Sequence, residues 1–296
     1  MTAASIRVQT PAKVNPVLEV LGKRADGYHE LVLLFQAIGL YDEVSIAPAK
    51  EGVRLELSPL VTGLAPDDSN LAVRAAKLFQ REALGGKEGV QLSLKKAIPL
   101  AAGLGGGSSD AAAVLWGMNE VFGAGLSLER LQGLAERIGS DVPFFLHGGL
   151  ALGWGRGEKI ESLPAGPPLF LILVKPLAGL STPAVYRSGK LVFTSGDKAR
   201  AFPEAWRKGG PQAAASGFFN GLEPASLFLM PEIEGIKNQL VRAGALGALV
   251  SGSGPTVFGV APTEEEASRI AGKIQGLGWT VWVAPTVSTG IQRIDI

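Results

Sequence analysis

One stretch concentrates the groups that can hold an anion: Pro99-Leu100-Ala101-Ala102-Gly103-Leu104-Gly105-Gly106-Gly107-Ser108-Ser109. Without Cβ atoms the glycine backbone can approach a phosphate closely and adopt positive φ. The apolar run from Ala111 to Phe122 that follows predicts a helix. Free N–H groups in its first turn, with the positive end of the helix dipole behind them, would face the same phosphate. Ser108 and Ser109 stand where a hydroxyl can cap that helix, or reach a phosphate or a phosphate-bound metal. No Gly-Lys in the chain is followed by Ser or Thr, so the loop is not of the P-loop kind. The G-x-G-x-x-G register starting at Gly103 ends on Ser108, which argues against a dinucleotide fingerprint.

Four further positions carry chemistry-bearing side chains in unusual settings. Lys13 lies within an otherwise apolar strand pattern, Pro11-Ala12-Lys13-Val14-Asn15. A lone lysine is most often a solvated charge, but one inside an apolar strand needs an anion or water nearby. Asp141 precedes Val142-Pro143, a sequence that fits the start of a short helix. An aspartate there is an N-cap, and also a carboxylate placed at the end of an element. Tyr28 and His29 follow an Asp26-Gly27 turn signal. They suit either stacking on a planar ring and bonding its edge, or the packing of a hairpin corner.

Composition narrows the classes. The chain has 296 residues, 46% of them hydrophobic, which predicts a real core and one large or two ordinary domains. With 28 basic and 27 acidic residues the net charge is +1, against a nucleic-acid or anionic-membrane partner. Cysteine is absent and only His29 and His147 supply imidazoles, which excludes thiolate and histidine-rich metal sites. His147 reads as a structural histidine. The apolar runs are far short of a membrane span, and the first eight residues have no apolar signal core. The expectation is a cytoplasmic protein.

The elements that must position these groups follow from periodicity. Strands are expected at residues 6–9, 14–21, 31–40, 44–47, 53–57 and 90–94. Ser69 is placed to cap a helix through Leu71, Ala75, Leu78 and Phe79, and Ser127 to cap one with Leu128, Leu131, Leu134 and Ile138 on one face. Pro and Gly cluster at residues 162–168, predicting a domain boundary with domains at 1–161 and 162–296. The second half predicts strands at 169–175 and 279–284, a glycine-serine hairpin at 249–258, a helix through Ile233, Ile236, Leu240 and Val241, and one capped by Thr263. Its order suggests a small α+β sandwich. Residues 194–217, rich in Ala, Lys and Gly, look least ordered.

Three separated motifs then stand together: Pro11-Ala12-Lys13-Val14-Asn15, the loop from Pro99 to Ser109, and Ser251-Gly252-Ser253-Gly254-Pro255. With them the chain resembles the GHMP kinase superfamily. Arg24-Ala25-Asp26-Gly27-Tyr28-His29 and Gly139-Ser140-Asp141-Val142-Pro143 resemble the branch that acts on a cytidine-diphosphate-linked polyol. Ala101 and Ala102 stand where some members have glycine, and Ser140 where many have alanine.

The resemblance implies an α+β, two-domain GHMP kinase fold, its N-terminal domain like domain 2 of ribosomal protein S5 and its C-terminal domain an α/β sandwich. It implies ATP-dependent phosphorylation, with Mg2+, of the 2-hydroxyl of 4-diphosphocytidyl-2-C-methyl-D-erythritol in isoprenoid biosynthesis. The loop Pro99–Ser109 would hold the phosphates, with Asn70 and Lys96 near the nucleotide and Ser108 or Ser109 near the metal. Asp141 would take the hydroxyl proton beside Lys13. Tyr28 and Tyr186 would sandwich the cytosine, His29 would bond its edge, and Asn15 and Thr182 would touch the acceptor. Alternatives are a homoserine- or mevalonate-type kinase, which has no base to stack, and a non-catalytic nucleotide sensor, against which Lys13 and Asp141 speak. An RNA-binding module is disfavoured by the near-zero net charge.

Overall fold

A computed structural model describes residues 5–294; of the N-terminal stretch read above, residues 1–4 lie outside it. The first half runs β1 (Ile6–Val14), β2 (Val17–Lys23), β3 (His29–Ala49), β4 (Val53–Leu57), α1 (Leu71–Ala83), β5 (Gly89–Lys95), α2 (Gly106–Val121), α3 (Leu128–Glu136), α4 (Val142–His147), β6 (Leu150–Gly155) and β7 (Lys159–Leu163). The second runs β8 (Phe170–Lys175), α5 (Thr182–Arg187), α6 (Asp197–Ser216), β9 (Phe219–Asn220), α7 (Glu223–Leu229), α8 (Glu232–Ala243), β10 (Ala248–Val250), β11 (Val257–Ala261), α9 (Glu264–Ile274), β12 (Thr280–Pro285) and β13 (Gln292–Ile294).

The spine of the larger sheet is β3, whose 21 residues replace the two separate strands predicted at 31–40 and 44–47. Its first part pairs antiparallel with β2 and β6, and its last part with β1 and β5. The pairing of β1 slips between Pro11 and Ala12, a bulge that lets a strand containing proline cross from one part of β3 to the other. A smaller antiparallel sheet runs β10-β11-β8-β12. The chain after β7 builds that sheet but returns β9 to the edge of β2 and β13 to the edge of β1 in the larger one.

Alternation along the strands splits the core into layers. Leu33 and Phe35 face α1 to α4, while Val32 and Leu34 face the smaller sheet. In β8, Leu171 and Leu173 meet that middle layer, while Ile172 and Val174 pack on α8 and α9. Phe35 stacks on Phe144 with ring centroids 4.8 Å apart, which fixes α4 against the sheet.

Several local expectations are corrected. Most of residues 194–217 forms a helix, α6 (Asp197–Ser216), broken at Gly210, where φ is 63° and ψ is −155°. Pro203, Gly210 and Pro211 read as breakers, yet Ala199, Phe202 and Trp206 recur at helical spacing and are buried in the middle layer. The helix has no side-chain cap of its own; the buried Glu19 of β2 accepts N–H bonds from Gly196 (3.2 Å) and Ala199 (2.9 Å) instead. The cap of α1 is Asn70, whose Oδ1 accepts from Ala72 N at 3.0 Å, while Ser69 bonds Asp67. Helix α2 starts at Gly106, so Ser108 and Ser109 lie inside its first turns and cap nothing. The caps expected at Ser127 and Thr263 are present, as is the hairpin of β10 and β11, but Leu128, expected on the buried face with Leu131 and Leu134, is exposed at the first turn of α3. No helix among the described residues is long and apolar enough to cross a membrane.

Candidate active site

A cleft of about 1260 Å³ opens over the glycine loop, walled by β1, β2, α5 and the turn after β10. The loop is shaped by contacts that only glycine permits. A Cβ on Gly103 (φ 76°) would fall 2.2 Å from the carbonyl oxygen of Ser251. One on Gly105 (φ 74°), the residue before α2, would fall 2.7 Å from the Phe145 ring. Ala101 takes φ 48°, a left-handed backbone that costs roughly 1–2 kcal/mol outside glycine. The loop therefore brings the unpaired N–H groups at the start of α2 to the cleft. That is the cradle a nucleotide's phosphates require, and the residues fit it.

Lys13 and Asp141 meet at this opening. The Lys13 side chain is 5% exposed, with Nζ 3.4 Å from Asp141 Oδ2. It also donates to Asn15 Oδ1 at 2.7 Å, and Asn15 Nδ2 donates to the Leu34 carbonyl. The Lys13 backbone N–H bonds the Leu104 carbonyl, tying β1 to the loop. Asp141 sits at the N-cap position of α4 but makes no capping bond, so its carboxylate is left to face Lys13 and, one-third exposed, the cleft.

A second group of predicted residues forms the far wall. Tyr28, 55% exposed, lies under the Arg156 guanidinium at 5.0 Å, and Tyr186 tilts against the His29 ring at 5.1 Å. Burial, and then the nearby Lys23 charge, hold His29 below the usual imidazole range. Burial, with the Asp141 charge adding to it, raises the Tyr186 phenol. Thr182 opens α5 with its hydroxyl 2.7 Å from Ser253 Oγ.

The cleft thus gathers Lys13, Asn15, Tyr28, His29, Lys96, Asp141, Thr182, Tyr186, residues 99–103 and residues 105–108. Three predicted residues are not brought to it. Leu104 is buried. Asn70 spends its amide on the cap of α1 and on the Ala65 carbonyl. Ser109 turns inward, donating to the Pro11 carbonyl at 2.6 Å and pairing with Thr10 at 2.6 Å. Of the two loop serines only Ser108 faces the cleft.

Lys96 reaches the cleft with one edge but is committed beneath the loop. Its Nζ lies between Asp42 and, at 2.7 Å, Asp110, all three closed to solvent. Asp42 Oδ1 also accepts from Ala97 N (2.6 Å) and Ile98 N (2.9 Å), which pins the chain where it leaves β5. Burial works to lower the Lys96 amine, and Asp110 and Asp42 together outweigh it and hold the amine above its ordinary range.

Sequence reasoning missed Lys23, Arg156 and Ser253 in the cleft wall. Arg156 had a signal, a charged side chain between two turn-forming glycines. Ser253 lay in a recognised motif without a role. No cluster of three His, Cys, Asp or Glu able to hold a metal occurs among the described residues.

Comparison with known proteins agrees with this geometry. The chain matches the GHMP kinases N-terminal domain over residues 70–149 and the GHMP kinases C-terminal domain over residues 193–278. It is 48% identical to the 4-diphosphocytidyl-2-C-methyl-D-erythritol kinase of Pelotomaculum thermopropionicum, over 88% of this chain and 91% of that one. It is 46% identical to the enzyme of the same name from Moorella thermoacetica, over 89% and 92%. A crystal structure of 4-(cytidine 5'-diphospho)-2C-methyl-D-erythritol kinase superposes with a TM-score of 0.78 at 34% identity, covering 95% of this chain and 98% of that one. The L. major mevalonate kinase shares the fold, with a TM-score of 0.72 at 18% identity, over 95% and 96%. Cleft, loop and relatives agree: the chain belongs to the 4-diphosphocytidyl-2-C-methyl-D-erythritol kinase family of the GHMP kinases.

Proposed function

We propose that this chain transfers the γ-phosphoryl group of ATP to the 2-hydroxyl of 4-diphosphocytidyl-2-C-methyl-D-erythritol, in the non-mevalonate route to isoprenoids. The observation that carries this reading is the Lys13–Asp141 pair at the mouth of the glycine loop, in one cleft with Tyr28, His29 and Tyr186. Phosphoryl transfer asks a protein mainly for positioning and charge stabilisation. The amides at the start of α2 hold the β- and γ-phosphates. Ser108, in the cleft wall, would help hold a Mg2+ ion bound with the nucleotide, which would supply neutralisation of the phosphate charge. Asn70 and Lys96 support the nucleotide from behind, one by capping the start of α1 and the other by pinning the loop.

Asp141 accepts the proton of the acceptor hydroxyl, a role worth about 10²–10⁴ in rate. Lys13, steered by Asn15, faces the same oxygen and the moving phosphoryl group. Tyr28 and Tyr186 stack on the cytosine. His29 is neutral near pH 7, so its ring offers one donor and one acceptor to the polar edge of the base. Asn15 and Thr182 hold the acceptor end. We divide the chain into domains at 1–161 and 162–296 with this cleft between them, and place the reaction in the cytoplasm, where ATP and small phosphorylated metabolites meet.

The test is ADP release from purified protein with Mg-ATP and four acceptors: the cytidyl-methylerythritol diphosphate, homoserine, mevalonate and galactose. Release with the first alone is expected, with phosphorus NMR placing the new monoester at the 2-position. Release with another acceptor would remove the roles of Tyr28, His29 and Tyr186. No release despite ATP binding would favour a nucleotide sensor.

A further inference from the structure

Asn220 belongs to the two-residue strand β9 and is 5% exposed, yet every polar atom of its side chain is engaged. Nδ2 donates to the carbonyls of Val250 (2.8 Å) and Gly252 (2.7 Å), and Oδ1 accepts from Leu222 N at 2.9 Å. One buried amide thus joins the edge of the larger sheet, the start of α7 and the turn between β10 and β11. A backbone carbonyl buried without a partner is costly, so two carbonyls converging on one amide mark a turn held in a set shape.

That turn touches the reaction centre at three points. Ser251 Oγ donates to the Gly103 carbonyl at 3.0 Å, inside the phosphate loop. Gly252 lies against the Lys13–Asn15 pair: a Cβ there would be 3.4 Å from both Lys13 Nζ and Asn15 Oδ1. Ser253 Oγ pairs with Thr182 Oγ1 at 2.7 Å, while its carbonyl accepts from Ser226 Oγ.

We propose that Asn220 is a positioning residue for the acceptor pocket, setting the Ser251-Gly252-Ser253 turn so that Ser253 aims the Thr182 hydroxyl and Gly252 backs the Lys13–Asn15 pair. The inference rests on the kinase reading above. Asn220 touches neither substrate; its effect reaches the acceptor through Ser253 and Thr182. A hydroxyl bonded to one fixed neighbour has its remaining lone pair and proton directed, whereas a free one rotates. The acceptor's alcohol is therefore met by an oriented group.

The experiment compares steady-state kinetics of wild type, Asn220→Ala, Ser253→Ala and the double variant, varying each substrate in turn, with thermal melting alongside. Asn220→Ala is expected to lower acceptor kcat/KM about ten- to a hundredfold, from the hydrogen bonds it breaks, with a smaller change in KM for ATP. Ser253→Ala is expected to raise acceptor KM severalfold without lowering the melting temperature to the same extent. The double variant is expected to lose no more than Asn220→Ala alone, because both act through one route. Lower thermal stability of Asn220→Ala with unchanged acceptor kinetics would overturn the proposal, and so would additive losses. If Asn220→Ala does not fold, wild-type acceptor KM in Ser253→Ala overturns it by itself. An inactive wild type would instead remove the kinase reading, so the two failures are told apart.

Discussion

Lys13 and Lys96 both lie beside the glycine loop, both are nearly closed to solvent, and both face aspartates. Their surroundings differ. Lys96 is saturated: two fully buried aspartates flank it, and Asp42 also holds the backbone of Ala97 and Ile98. Lys13 is held more loosely, at 3.4 Å from a carboxylate that is itself one-third exposed. A cation with its counter-charges packed around it can pin a loop but has little left to offer a ligand. One whose partner opens on the cleft can be shared with an incoming anion. The same pair of residue types thus serves as a clamp beneath the loop and as a reaction centre in front of it.

The comparison is broken most easily at Asp141. Asp141→Ala is expected to lower kcat by about 10²–10⁴ or more, while calorimetry still shows ATP binding and the melting temperature stays near wild type. Lys13→Met should follow it in direction, with modest loss of stability because the carboxylate left behind can reach water. Retained turnover in Asp141→Ala would end its role as base. A collapse in stability on Lys13→Met would make this pair a clamp like the other.

How much of this was legible in the sequence depends on the range over which each feature is decided. The glycine loop, Asp141 before Val142-Pro143, Tyr28 after the turn and Thr182 at a helix start are local signals, and the structure brings all of them to one cleft. The interior of α8 at Ile233, Ile236 and Leu240 follows from its period, whereas Val241, read with them, faces solvent because it is one residue past the buried stripe. Helix α6 was hidden because its breakers are local, whereas the burial of Phe202 and Trp206 needs the sheets on either side. Asp42 carries no local signal, because its partner Lys96 lies 54 residues away and meets it only in the fold. Ser108 and Ser109 cannot be ranked without the helix register. Because α2 begins at Gly106, successive residues point about 100° apart, one to the cleft and the other to Thr10.

Lys96→Met sharpens the other side of the comparison. It leaves Asp42 and Asp110 facing each other in a site closed to water. Removing one partner from a buried ion pair costs about 3–5 kcal/mol, so a large drop in the urea midpoint is expected. Loss of ATP binding should accompany it, since the loop is then no longer held where it leaves β5. Wild-type stability would mean that the triad contributes nothing net.

The smallest expected effect concerns the protons of that triad. Burial pushes Asp110 up to about 8, with Lys96 pulling it down and the Asp42 charge pushing it up again. Its Oδ1 has no hydrogen-bond partner, as suits a site where two full negative charges beside one ammonium are too many. An unfolded aspartate loses its proton near pH 3.9. Between that pH and about 8 the folded chain keeps a proton that the unfolded chain has released, so this group's contribution to stability falls as pH rises. Asp110→Asn removes the titration while keeping the shape of the protonated side chain. Relative to wild type it should therefore gain stability between pH 5 and pH 8. At this chain length each kcal/mol moves the melting temperature by about 2–4 °C, which thermal scans of the two proteins across that range resolve. Parallel curves would mean that Asp110 is ionised throughout and that Lys96 balances two charges rather than one. The clamp would then be a charged site held by geometry alone, closer in kind to the Lys13–Asp141 pair than its burial suggests.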